Sequence, residues 1–195
     1  MRVISKEELK HQRSTYTQKV LRGEVFIHPT DTIYGIGCNA LDQEAVSKIR
    51  MLKDRDKEKP FSVIAPSKGW IRTHCQITPE VEGWLDKLPG PYTLILDLKN
   101  TEAVAENIVQ GKKTIGVRIP AHWISEAIAE IGVPVVTTSV NRRGEDVMVH
   151  HEDLDGRIRQ YIDFFVDEGP IEGTPSTIVN LTESDIEDHG FRKVI

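Results

Sequence analysis

The residues of this chain that could do chemistry come in short pairs. Lys53 and Arg55 stand two apart, a spacing that on extended backbone turns both cations to one face and makes a two-pronged clamp for an anion. Residues 53 to 59 mix both signs of charge, so a solvated charged face is the competing reading. Ser139 and Asn141 repeat the spacing just after an apolar run, where a hydroxyl and an amide can hydrogen-bond phosphate or ribose at the carboxyl edge of a sheet. A plain polar turn through Gly144 would use the same residues. If Pro29 to Gly35 is extended, Thr30, Thr32 and Tyr34 offer three hydroxyls to a small polar ligand from one face. Arg118 falls inside a predicted strand, where a guanidinium is costly to bury unless an anion meets it; a substrate or a structural carboxylate would serve equally. Ser176 and Thr177 add donors ahead of Ile178 and Val179, or form an ordinary turn.

Two familiar phosphate motifs fail on context. Gly35-x-Gly37-x-x-Ala40 matches a dinucleotide fingerprint, but Pro29 to Tyr34 stand between its first glycine and the preceding strand, where the fingerprint needs a strand leading straight into it. Gly111-Lys-Lys-Thr114 resembles the end of a P-loop, yet Glu106 stands where the first glycine should, and a strand is predicted to follow. Neither a nicotinamide site nor a P-loop is expected.

The elements that must position these residues can be read from periodicity. Ser5 with Glu8 is a capping-box pattern opening one amphipathic helix that ends near Gly23, followed by a strand at 25–27. Asp42 caps a helix to about Lys53, and Thr78-Pro79 opens another running to Pro89. An apolar stripe marks a helix at 123–131, and a further helix is expected near 152–162. Strands are predicted at 61–65, 92–98, 114–119, 133–138, 164–166, 177–181 and 191–194. Strands and helices intermix with no long linker and no repeat, which predicts one three-layer α/β domain, residues 1–195, around a twisted mixed sheet.

Composition bounds the function. With 195 residues, 38% hydrophobic and 28% charged, the chain can close a sizeable core, which excludes disordered, collagenous and disulfide scaffolds. A net charge of −5 argues against affinity driven by nucleic-acid phosphates, so any RNA contact is expected to be weak and local. The two cysteines, Cys38 and Cys75, lack metal-ligand spacing and read as reduced thiols; no metal site is expected. His150-His151 reads as a solvated helix start. The polar N-terminus and the absence of a long apolar run suggest a cytoplasmic protein with no membrane contact.

In order along the chain, Pro29-Thr-Asp-Thr-Ile-Tyr-Gly35, Lys53-x-Arg55, Pro89-Gly-Pro-Tyr-Thr-Leu94, Val117-Arg-Ile-Pro120, Thr138-Ser-Val-Asn141 and Pro175-Ser-Thr-Ile-Val179 resemble the YrdC-like family of threonylcarbamoyl-AMP synthases. The resemblance implies a YrdC/RibB-like fold and formation of threonylcarbamoyl-adenylate and pyrophosphate from L-threonine, bicarbonate and ATP. Magnesium would enter with the ATP, and the product would pass to a tRNA threonylcarbamoyl transferase complex. By the same resemblance Lys53, Arg55, Ser139 and Asn141 are the catalytic set. Lys59, Thr114 and Arg192 join them on the ATP side. Thr30, Thr32, Tyr34, Arg118, Thr137 and Ser176 are expected on the threonine side. The chain departs from the pattern at Lys59, where many synthases carry asparagine, at Ile64, where a histidine is usual, and at Arg143-Gly144 and Val147-Met148. Lys59-Pro-Phe61 resembles the YciO branch, whereas Ser139-x-Asn141 is kept as in the synthases. A YciO-like paralogue with a different or weak reaction on a related adenylate, and a non-catalytic RNA-binding protein, are the alternatives. The chain stops at Ile195, so the extra C-terminal domain of longer members is expected to be absent.

Overall fold

A computed structural model describes residues 1–53, 59–142 and 144–182. Arg55 and Arg192, with the strand expected at 191–194, lie outside the described residues.

Among the described residues the core is one mixed sheet of nine strands: β1 (Arg2–Ser5), β2 (Phe26–His28), β3 (Gly35–Gly37), β4 (Ser62–Ile64), β5 (Tyr92–Asp97), β6 (Thr114–Arg118), β7 (Val135–Ser139), β8 (Phe164–Asp167) and β9 (Thr177–Asn180). Their spatial order is β1-β8-β2-β3-β7-β4-β6-β5-β9. Strand β7 is the seam, antiparallel to β3 on one side and to β4 on the other. Neighbouring side chains alternate between two apolar clusters: Phe26, Val135 and Phe164 belong to one, Ile27, Val136 and Phe165 to the other.

The helices are α1 (Lys6–His11), α2 (Arg13–Leu21), α3 (Gln43–Leu52), α4 (Lys68–His74), α5 (Pro79–Leu85), α6 (Glu106–Val109), α7 (Ile124–Ile131) and α8 (Gly156–Arg159). Tyr16 and Val20 of α2 pack with Ile124 and Ile128 of α7 against the first cluster. Ile49 of α3, Ile71 of α4 and Leu85 of α5 fill the second. These are the three layers expected from the sequence. Among the described residues no helix is long and apolar enough to cross a membrane.

Local chemistry explains the boundaries. Ser5 accepts from the Glu8 amide, Asp42 from those of Glu44 and Ala45, and Thr78 from that of Val81. The structure corrects the reading elsewhere. The first helix breaks at Gln12 and is preceded by β1, whose four polar-flanked residues carry no strand period. The helix expected near 152–162 is a 3₁₀ turn at His151–Asp153 followed by the four-residue α8, because Asp155 caps a fresh start. Strand β3 falls on the glycine motif, whose composition carries no strand signal. The His28 ring and Thr137 Oγ1 stand where a side chain at Gly35 would go, and the Val136 carbonyl and Val135 stand where one at Gly37 would.

Candidate active site

A cavity of about 290 Å³ runs over the sheet from Ser139, at the carboxyl end of β7, to Arg118, at the carboxyl end of the oppositely directed β6. Thr30, Tyr34, Lys53, Lys59, Arg118, Thr137, Ser139, Asn141 and Ser176 all line it, so most of the expected site residues converge. Thr32 adjoins them through Arg118. Thr114 does not join them. It starts β6, opposite Asp97, four residues from Arg118 at the other end of the strand.

One wall is built on a buried cation. Lys53 closes α3 in helical geometry (φ −79°, ψ −7°) rather than lying on extended backbone, so the i, i+2 argument from Arg55 is not what places it. Its position at the helix carboxyl end suits a positive charge. Only 6% exposed, its ammonium donates to the carbonyls of Ser139 (2.7 Å) and Asn141 (2.6 Å) and to Asn141 Oδ1 (2.6 Å). Ser139 Oγ donates to the same Oδ1 at 2.6 Å, and Asn141 Nδ2 donates to the Glu145 carbonyl. Lysine, serine and asparagine therefore form one network that brings a positive charge under the turn after β7.

The opposite wall is built on Arg118, 5% exposed at the end of β6. Its guanidinium donates to Asp31 Oδ1 at 2.6 Å and to Thr32 Oγ1 at 3.2 Å, while Nε is buried without a hydrogen-bond partner. Burial lowers the Arg118 pKa and Asp31 opposes that shift, leaving a cation with donor capacity toward the cavity. The structural-carboxylate reading of Arg118 is met by Asp31, which leaves Nε without a partner.

The 30–34 segment corrects the expected face of three hydroxyls. Thr30 Oγ1 closes a tight turn, accepting from the Thr32 and Ile33 amides and donating to the Ile33 carbonyl. Thr30 and Thr32 Oγ1 are 2.9 Å apart, but Tyr34 diverges. Its hydroxyl donates to the Gly169 carbonyl (2.7 Å) and accepts from the Glu168 amide (3.0 Å), so the phenol is a fastening for the chain beyond β8. Burial pushes that hydroxyl up to about 12.

A family model described as Sua5_yciO_yrdC, telomere recombination, matches residues 18–189. The chain belongs to the Sua5/YciO/YrdC family. It is 34% identical over 172 residues to the threonylcarbamoyl-AMP synthase of Pyrococcus abyssi, covering 84% of this chain and 49% of that protein. It is 28% identical over 168 residues to YciO of Escherichia coli, covering 84% of this chain and 81% of that one. The crystal structure of P. abyssi Sua5 complexed with L-threonine superposes with a TM-score of 0.81 at 27% identity, over 92% of this chain and 54% of that one. The chain thus spans about half the length of the Sua5 protein and most of the length of YciO.

For a Sua5/YciO/YrdC protein the lining holds residues that sequence reasoning did not single out. Ser62, Thr93 and Thr138 add hydroxyls, and Thr93 Oγ1 lies 2.7 Å from Ser176 Oγ. Thr93 sat inside the Pro89 to Leu94 run and could have been picked as its one buried polar residue. A side chain at Gly116 would press on Ser62 and Thr93, so the glycine keeps the cavity floor open. Ile64 is fully buried with the α2 and α7 residues and does not line the cavity. Lys59 does line it.

Proposed function

We propose that this chain is a threonylcarbamoyl-AMP synthase. The observation that carries the reading is the pairing, across one cavity, of the Arg118–Thr32 wall with the Lys53–Ser139–Asn141 wall. The likeness to the named synthase and to the threonine-bound Sua5 structure supports it.

In this reading Arg118 and Thr32 hold the threonine carboxylate, with Ser176, Thr137 and Thr30 about the rest of the amino acid. The amine attacks the carbon of bicarbonate and, with loss of water, becomes a carbamate. A carbamate oxygen then attacks the α-phosphorus of ATP, the new P–O bond forming as the bond to pyrophosphate breaks. Two anionic reactants must be held in line while charge builds on phosphate oxygens, work for fixed cations and hydroxyls. Lys53, Arg55, Ser139 and Asn141 are assigned that work, with Lys59 and Arg192 on the nucleotide side. Magnesium enters with the triphosphate as part of the substrate, held through phosphate oxygens and water. The adenylate passes to a tRNA threonylcarbamoyl transferase complex.

The deciding experiment is pyrophosphate release from ATP with magnesium and bicarbonate, with and without L-threonine, and with L-serine as control. Release that needs both threonine and bicarbonate is expected. A folded protein that releases none would move the assignment to the YciO-like reading, which Lys59 in the lining favours. Salt-sensitive tRNA binding without ATP use would instead indicate the RNA-binding alternative.

A further inference from the structure

Strands β8 and β9 are consecutive in sequence yet far apart in the sheet, with β2, β3, β7, β4, β6 and β5 between them. Seven strand spacings cross roughly 34 Å of flat sheet. The connection, residues 168–176, can span at most about 36 Å. Strands β8 and β9 run in the same direction, so the connection is a strap that leaves the carboxyl end of β8 and crosses the sheet to its opposite end, where β9 begins, and the twist of the sheet shortens that path.

The strap is pinned at both ends. At its far end Ser176 Oγ meets Thr93 Oγ1. In the middle Gly173 lies so close to the Thr32 carbonyl that a Cβ there would overlap it. At its near end Glu168 makes three contacts. Its amide donates to Tyr34, its Oε1 accepts from Trp123 Nε1 at 2.8 Å, and its Oε2 lies 2.7 Å from His122 Nε2. His122 Nδ1 accepts from the Ile124 amide at 3.3 Å, which leaves the proton on Nε2 to be donated to Glu168. His122 and Trp123 follow Arg118 by only four and five residues, and the Ala121 amide between them donates to Asp31, the carboxylate partner of Arg118.

We propose that Glu168 is a positioning residue for the amino-acid side of the site. It buckles the strap to the loop that leaves Arg118, so that Arg118, Thr32 and Ser176 keep one mutual arrangement. The inference rests on the proposed function only in naming L-threonine as the ligand those three residues hold.

The test uses the full chain with Glu168→Ala and Glu168→Gln. The first readout needs no substrate: hydrogen–deuterium exchange at amides 171–177. In Glu168→Ala these amides are expected to exchange about tenfold faster, the equivalent of one net hydrogen bond, with β4 to β7 unchanged. Glu168→Gln keeps an acceptor for Trp123 but presents a donor to His122, and should fall between. The second readout is kinetic. The KM for L-threonine should rise about tenfold in Glu168→Ala, with kcat and the KM for ATP within about twofold of the starting protein and partial recovery in Glu168→Gln. His122→Ala should raise the same constant, and the double variant should add little to either single one. Unchanged strap exchange, KM values for threonine and ATP that rise together, or glutamine behaving no better than alanine would each overturn the proposal. If the unaltered protein releases no threonine-dependent pyrophosphate, the proposed function fails, while the exchange readout still decides whether Glu168 holds the strap.

Discussion

The ammonium of Lys53 lies 2.6 Å from Asn141 Oδ1, at a sequence separation of 88 residues, and the same nitrogen reaches the carbonyls on both sides of Val140. The lysine is thus the internal support of the turn after β7 as well as a charge beside the cavity. Lys53→Met should abolish turnover and also lower unfolding free energy by about 2–3 kcal/mol, because three oxygens lose a charged donor. Steady-state kinetics and urea titration check both. Near-normal turnover would remove Lys53 from the catalytic set.

His28 predicts a pH effect. It is fully buried in β2, its Nδ1 lies 3.2 Å from the Pro29 carbonyl, and its Nε2 has no hydrogen-bond partner. Burial pushes the imidazole down to about 4, and nearby Arg118 and His122 push the same way. Because the folded value lies below the unfolded one, near 6.5, the unfolded chain binds the proton first. The stability His28 contributes is therefore complete above about pH 6.5 and lost as the pH falls toward 4, by about 3 kcal/mol. His28→Phe should flatten that part of the stability profile against the unaltered protein, measured by denaturant titration from pH 4 to 7.5. Parallel profiles would refute the assignment.

Arg50 joins three segments. Its guanidinium donates to the carbonyls of Lys59 (2.9 Å) and Asn107 (2.7 Å) and lies 4.5 Å from the Phe61 ring centroid. Lys59 and Phe61 line the cavity, so Arg50→Ala should raise the KM for ATP by about tenfold and cost about 2 kcal/mol of stability. An unchanged KM in a destabilised protein would reduce Arg50 to a structural role.

Cys38 and Cys75 are buried, and burial raises both thiol pKa values, that of Cys75 to about 12. Neither should react with a thiol reagent at pH 8 in the folded protein, and both should react at once in denaturant. Fast labelling of the native chain would contradict that burial.

How much of this was legible in the residues depends on range. Helices α3, α5 and α7 carry apolar stripes and caps, and strands β4 to β6 carry apolar runs, so local pattern sufficed. Strand β1 and helices α4 and α6 are too short or too polar to show a period, and β3 holds glycines because side chains and backbone of the neighbouring strands need their space. Within the site, residue types were readable and partnerships were not. Arg118 announced that it needed an anion, but only the tertiary fold shows Asp31 meeting it. Tyr34 read as a ligand hydroxyl because its contact with the chain beyond β8 spans more than 130 residues.

The seam strand β7 also bears on how the protein comes into being. Of the strands before it in the chain, β2-β3 and β4-β6-β5 make two half-sheets whose facing edges are joined only by residues 135–139, while β1 waits for β8. One cavity wall includes Ser139 and Asn141 at the end of β7, and the other joins Arg118 of β6 to Thr32 of the β2–β3 connection, so substrate-binding ability should emerge only once this long-range step is complete and not grow in gradually. A ligand gripping both walls would then act as a rivet across the join, slowing its reopening and raising the melting temperature in proportion to occupancy.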